Sequence, residues 1–238
     1  MDMERLQNLL ARRGVASRRG AADIIRAGRV RMDGVTVTEP GARIAETAHI
    51  EVDGRLLKAK EEPHRTFLYH KPVGEVCSTD GQGARSVLEA FRGINLRLVP
   101  VGRLDKESEG LLLVSNDGAL IQRLTHPRFG HTKIYEVEVN AVPTEAQLAI
   151  LRGPMTLEGY KIRPVRVETL GGRRLRFTLT EGRHRQIRQM CEQAHLRVTR
   201  LRRVALGTLR LGSLPPGRWR ELSAAELNAL RGTPNKNV

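Results

Sequence analysis

The 238-residue sequence predicts an α+β protein in two parts. A small domain over 3–60 is followed by a larger one over 67–232, built on a mixed, mostly antiparallel sheet flanked by helices. Three observations predict this. Residues 3–58 hold two short amphipathic helical segments and then alternating runs turned by Asp-Gly pairs. From Phe67 onward, short β-like runs come in blocks separated by single helical segments, the pattern of segregated strands and helices. Between the two parts, AKEEPHRT is polar and carries Pro63, so 61–66 reads as a linker.

In the first part, MERLQNLLARR places Leu6, Leu9 and Leu10 on one helical face. Gly14 follows as a helix-ending glycine. Ser17 is a good N-cap for a second helix with Ala21, Ile24 and Ile25 inward, and Gly28 ends it. Asp33-Gly34 and Asp53-Gly54 are strong hairpin signals between alternating runs.

In the second part the runs FLYHK, EVCS, LRLVPVG, LLLVS, KIYEVEVN, VRVETL, RLRFTLT and VTRLRRVALGTLRL read as strands. RSVLEAFRG, DGALIQRLTH, TEAQLAILRG, RHRQIRQMCEQA and SAAELNALRG read as helices. The tail over 233–238 reads as disordered.

Composition narrows the function classes. The formal net charge is +15, which points to a polyanionic partner. The excess is local: residues 171–220 hold 13 Arg, no Lys and only Glu181 and Glu192. Arginine binds phosphate bidentately and stacks on bases, so this bias favours nucleic acid. No apolar run approaches the ~20 residues of a spanning helix, and MDMERLQ carries no apolar signal run. Cys77 and Cys191 lie far apart and suit free thiols in a reducing cytoplasm. His, Cys and carboxylate spacings suggest no metal. DGQGARS lacks the third glycine and the acidic residue of a dinucleotide site. The expected localisation is cytoplasmic, and the expected state a monomer.

Three blocks carry candidate chemistry. In VGRLDKESEGLLLVSNDG, six of the eight residues RLDKESEG are charged or hydroxylic, set between apolar runs. Asp105 there reads as a turn residue, as half of a surface pair with Arg103 or Lys106, or as a carboxylate held at a sheet edge. Partly buried, it would need a partner to stay ionised. Glu107, Glu109 and Asp117 read as structural. In TEGRHRQIRQMCE a helix begins near His184, with Ile187, Met190 and Cys191 inward. Arginines at a helix N-terminus are disfavoured, so Arg183, Arg185 and Arg188 call for an anion nearby. His184 has no orienting partner in the sequence and is a poor candidate base. In HPRFGHTKIYEVEV, Tyr135 alternates with Val137 and Val139 on one strand face; its ring suits the core or a flipped base.

ERLQNLLARRGVASRRGAADIIRAGRVRMDGVTV resembles an S4 domain, a small RNA-binding module. That resemblance makes Ser17, Arg18, Arg19, Arg29 and Arg31 the expected RNA contacts. With it, VGRLDKESEGLLLVSNDG, HPRFGHTKIYEVEV, EGRHRQIRQMCE and LPPGRWREL, in this order, resemble the RsuA-type family of ribosomal RNA pseudouridine synthases over residues 4–225. One departure is visible: Gln189 stands where the family often has a second arginine.

The resemblance implies the pseudouridine synthase fold over 67–232 and the isomerisation of uridine to pseudouridine in ribosomal RNA. It implies no cofactor. Asp105 would be the nucleophile or base, whether it attacks base or sugar or takes the 2′ proton. Tyr135 would stack on the target base and help remove its C5 proton, and Arg188 would pair with Asp105. Ile187 would pack around the site, and Arg103 would help displace the flipped nucleotide. Arg183 and Arg185 would join the RNA surface. KESEG and RQIRQMCE look closer to family members acting on the large subunit, so 23S rRNA or a large-subunit precursor is the expected partner rather than 16S rRNA. The alternative is a non-catalytic S4-type ribosome-assembly factor that does not use Asp105.

Overall fold

A computed structural model describes residues 4–45, 48–57, 63–78 and 83–232. The expected disordered tail lies outside these residues, as does part of the expected linker. The described residues form two compact units: the chain up to His64 with Asn95–Arg97, and Arg65–Ile94 with the chain from Leu98 onward.

The first unit runs β1 (Glu4–Arg5), α1 (Leu6–Arg12), α2 (Arg18–Arg26), β2 (Val30–Met32), β3 (Val35–Val37), β4 (Arg43–Ile44), β5 (Ile50–Val52) and β6 (Arg55–Leu56). Strand order in its sheet is β3-β2-β5-β6, and β1 pairs with β4. Gly14 takes φ 77° just past α1. The Ser17 hydroxyl accepts from Gly20 N at 2.9 Å and so caps α2. Asp33 and Gly34 both take positive φ, as a two-residue hairpin of this hand demands. Leu6, Leu9, Leu10, Ala21 and Ile25 join Val30, Ile44 and Ile50 in one core. Helix α1 starts later than the expected 3–13, because Glu4 and Arg5 pair with Ile44 and Arg43 and Leu6 N donates to Ala42 O.

The second unit contains β7 (Thr66–Lys71), β8 (Val99–Val101), β9 (Glu109–Ser115), α3 (Gly118–Thr125), β10 (Lys133–Val139) and α4 (Glu145–Arg152). After these come β11 (Thr156–Leu157), β12 (Tyr160–Lys161), β13 (Arg166–Thr169), β14 (Arg174–Leu179), α5 (Gln186–Gln193), β15 (Val198–Leu206), β16 (Leu209–Arg210), β17 (Trp219–Glu221) and α6 (Ala224–Arg231). The large sheet has the order β13-β14-β10-β15-β9-β7-β17, with β8 on β9 and β16 on β15. Among the described strand pairings of this sheet β15–β9 is the parallel one, so the sheet is mixed and mostly antiparallel as expected. Leu68, Leu111 and Leu113 pack with Leu120 and Leu124 of α3 and Leu230 of α6. The alternate residue Phe67 meets Phe91 and Trp219 at ring-centroid distances of 5.5 and 5.2 Å.

Several expectations are corrected here. EVCS makes only an isolated bridge, Val76 to Ser86. RSVLEAFRG closes as a 3-10 turn over Val87–Phe91, held by a Ser86–Glu89 capping box. The long VTRLRRVALGTLRL run folds back at Gly207 (φ 55°) into β15 and β16. Two strand pairings fall outside the expectations: the β11–β12 hairpin, turned by Glu158-Gly159 at positive φ, and the long-range pairing of β17 on the edge of β7.

Candidate active site

The loop 102–108 joins β8 to β9, and the main chain on either side of Asp105 is tied down. Gly74 N donates to Lys106 O at 2.8 Å, and Ser108 N donates to Asp105 O at 3.0 Å. Leu104, itself buried, donates its N–H to Cys77 Sγ at 3.4 Å, and the Cys77 thiol donates to Leu104 O at 3.5 Å. Beneath them lies Lys71, fully buried, whose Nζ donates to Pro72 O at 2.9 Å and Ser108 O at 2.7 Å. Burial pushes the Lys71 pKa down, while Cys77, Glu75, Asp105 and Glu109 act against that. The turn that carries Pro72 is closed by Tyr69, whose hydroxyl donates to Glu75 at 2.7 Å.

Lys71 was not foreseen, since a lysine at a strand end ordinarily reaches solvent. The signal was present: it closes TFLYHK, a strand buried at every position, just before a proline. Replacing Lys71 with Met takes the donor from the buried Ser108 carbonyl and the half-buried Pro72 carbonyl, a cost of about 1–3 kcal/mol. The melting temperature should fall by roughly 5 °C for a unit of this size, readable by calorimetry.

Gly110 explains the glycine of EGLLL. It takes φ 109°, and a Cβ there would stand 2.3 Å from Arg203 O and 2.7 Å from Arg203 N. The close approach aligns one rung across five strands: Lys71, Gly110, Arg203, Tyr135 and Phe177 are successive partners. Tyr135, 9% exposed, therefore shares a sheet face with Lys71 and Arg203.

Helix α5 starts later than expected, at Gln186, with Arg185 at its N-cap in the left-handed region (φ 49°). Ile187, Met190 and Cys191 are buried as expected. Burial pushes the Cys191 thiol up to about 12, which keeps it an inert core group. Arg185 pairs with the Glu107 carboxylate at 2.5 Å, and Arg188 Nη2 donates to Glu107 O at 3.0 Å. Glu107 is thus the anion that the arginines before the helix call for, and it ties α5 to the Asp105 loop. Glu109 pairs with Arg200, and Asp117 caps α3 and pairs with Arg231; both are structural as read.

The expected Asp105–Arg188 ion pair is not closed. Asp105 is half-buried and forms no ion pair among the described residues; Arg188 Nη2 donates instead to the Glu107 carbonyl. Asp105 still lies within electrostatic reach of Lys71, Arg185 and Arg188. Burial pushes the Arg188 pKa down, the neighbouring Arg185 adds to this, and Glu107 and Asp105 oppose it. Its Nε is buried with no acceptor. Arg103, next to Asp105, is exposed. Arg183 stacks 3.2 Å over the Tyr160 ring, and His184 is exposed with Glu158 3.9 Å away.

The arginines of 171–220 are less free than their number suggests. Arg173 pairs with Glu138, Arg202 with Glu136 and Arg220 with Glu226, in addition to the pairs of Arg185 and Arg200. A cavity of about 750 Å³ lies on the sheet face opposite Tyr135, lined by Ile134, Glu136, Arg176 and Arg202 among others, and holds none of the expected site residues. In the first unit Ser17 is occupied as a cap, and Arg29 is bound twice to Asp53, at 2.7 and 2.6 Å. Arg18, Arg19 and Arg31 are exposed. Among the described residues, no helix is long and apolar enough to cross a membrane.

The candidate residues thus stand on a tied-down loop (Asp105), on β10 (Tyr135) and at the start of α5 (Arg185 and Arg188). Comparison with known proteins gives the family. Residues 65–193 match the family model described as RNA pseudouridylate synthase, and residues 4–50 match the S4 domain. The chain belongs to the RNA pseudouridylate synthase family. It is 37% identical over 236 residues to ribosomal large subunit pseudouridine synthase B of Bacillus subtilis, covering 96% of each chain. It is 37% identical to the protein of that name from Escherichia coli K12, over 96% of this chain and 82% of that one. A solved pseudouridylate synthase structure, 29% identical, superposes with a TM-score of 0.68 over 95% of this chain and 99% of the other.

Proposed function

We propose that the chain converts a specific uridine of large-subunit (23S) ribosomal RNA to pseudouridine, and that Asp105 starts the reaction. The observation that carries this is the Asp105 loop, held at Leu104, Lys106 and Ser108, in a chain that matches a large-subunit enzyme from end to end. In the reaction the glycosidic C1′–N1 bond breaks, the base turns, C5 bonds to C1′, and the proton lost from C5 is matched by one gained at N1. Atoms and electrons balance without an outside group, so the scheme uses no cofactor. Asp105 serves as nucleophile or base, and its fixed main chain aims it. Lys71, Arg185 and Arg188 surround it with positive charge; Arg188 reaches it through the Glu107 end of the loop in the free protein. Closure of Arg188 onto Asp105 on RNA binding fits the tendency of catalytic contacts to tighten in the complex.

Tyr135 offers its ring to the flipped base, offsetting an unstacking cost of a few kcal/mol. Tyr135→Phe should keep its melting temperature and RNA affinity while single-turnover conversion falls about 10²-fold or more, the scale of a lost proton-transfer group. Unchanged turnover removes the hydroxyl from the mechanism. Arg18, Arg19 and Arg31 of the S4 unit, and Arg103 and Arg183, contact RNA mainly at phosphates, so affinity falls with salt.

The direct test incubates the purified chain with unmodified large- and small-subunit rRNA transcripts and maps pseudouridine by carbodiimide-dependent reverse-transcription stops. New stops are expected in the large-subunit transcript alone. Stops in the small-subunit transcript instead would overturn the substrate assignment, and none in either would overturn the activity.

A further inference from the structure

Lys133 sits two residues before Tyr135 on the same side of β10, at the mouth of the loop 180–185. It has no ion pair or hydrogen bond among the described residues. Burial and the charge of Arg203 push its pKa down to about 8, and only Glu181 acts against them. Glu181 is already taken, accepting from Arg163 N at 2.8 Å with the Arg163 guanidinium 3.9 Å away. Arg203 is 3% exposed; its Nε donates to Leu111 O at 2.7 Å, but its Nη2 is buried without an acceptor. Two neighbouring cations and an orphaned donor thus stand beside Tyr135 with no free carboxylate to answer them. Buried donors without acceptors are rare and call for a missing partner.

The loop above leaves room for one. Gly182 lies outside the left-handed φ region that disfavours side chains. A Cβ there would lie 3.9 Å from Lys133 Nζ, so a larger side chain would cover the ammonium. Glycine keeps the approach open.

We propose that Lys133, backed by Arg203 and reached under Gly182, is a phosphate site that seats one backbone phosphodiester of the RNA strand beside the target uridine. A phosphate supplies acceptors only, which a cluster of donors requires, and it relieves the repulsion between the two cations. This rests on Tyr135 holding the target base; the phosphate then fixes the flipped nucleotide beside it. Lys133 is a positioning residue in this scheme.

The test uses the full chain and a stem-loop transcript carrying the mapped uridine. Lys133→Met should weaken binding about tenfold at ~0.1 M salt and make the log–log salt dependence shallower by about 0.7, one single-strand phosphate contact. A scan of single neutral methylphosphonate linkages should find one that weakens wild-type binding by the same factor and weakens Lys133→Met no further. Gly182→Val, which keeps every charge, should also lose sensitivity to that linkage; it carries the test if Lys133→Met melts early. Unchanged affinity and salt slope in both variants, or a loss that no single linkage accounts for, overturns the phosphate site. If the wild type binds this RNA but never converts it, the activity reading falls, while the linkage scan still judges the phosphate site.

Discussion

Asp105→Asn should abolish pseudouridine formation, with single-turnover conversion reduced by about 10³-fold or more, while the protein melts and binds RNA as the wild type does. The size follows from removing the only carboxylate on the loop that the structure leaves without a partner; loss of a positioned acid–base group alone costs about 10²–10⁴-fold. Folding should survive, because the loop is held through main-chain atoms and not by the Asp105 side chain. Leu104, Lys106 and Ser108 carry the contacts to Cys77, Gly74 and Lys71. Glu107, the other acid at the loop's tip, gives the control. Glu107→Gln breaks the pair with Arg185 but keeps the main-chain carbonyl that receives Arg188, so it should reduce turnover far less than Asp105→Asn.

Gly110→Ala should produce the largest loss of stability. The new methyl would meet the backbone of Arg203 at 2.3 Å, which no side-chain rotation relieves, in a conformation at φ 109° that L-residues rarely adopt. Strain and overpacking each cost about 1–3 kcal/mol, so roughly 3 kcal/mol or more is expected. That lowers the melting temperature by about 10 °C. Because Gly110 links β9 to β15 on the rung that holds Tyr135, activity should fall even below the melting transition. A thermal melt within 2 °C of wild type would show that β9 and β15 do not approach so closely.

Local chemistry made part of this structure legible. Ser17 caps α2, Gly14 and Gly28 end their helices, and Asp33-Gly34 turns a hairpin because each feature depends on neighbours a few residues away. The motif around Asp105 was visible as well, and so were the buried positions of Ile187 and Tyr135. What stayed hidden depends on distant partners. Glu4 and Arg5 look helical until Ile44 and Arg43 arrive to pair with them. Trp219 becomes a strand residue only beside Tyr69 of β7. Lys71 looks like a solvated strand end until Ser108 presents its carbonyl. The arginines of α5 pointed to an anion, but that Glu107 answers them in the free protein, and not Asp105, was set by the shape of a loop some 80 residues away. Arg29 pairs with Asp53 across the β2–β5 pairing, a partner that lies 24 residues away in the sequence.

The central claim is that this chain makes pseudouridine in large-subunit rRNA through Asp105. The most direct measurement maps pseudouridine across the rRNA of a strain lacking the gene, complemented with either the wild type or Asp105→Asn expressed to equal levels. The account predicts a pseudouridine in the large-subunit rRNA that disappears on deletion, returns with the wild type and stays absent with Asp105→Asn. Restoration of that site by Asp105→Asn, or an unchanged rRNA map on deletion, would contradict it.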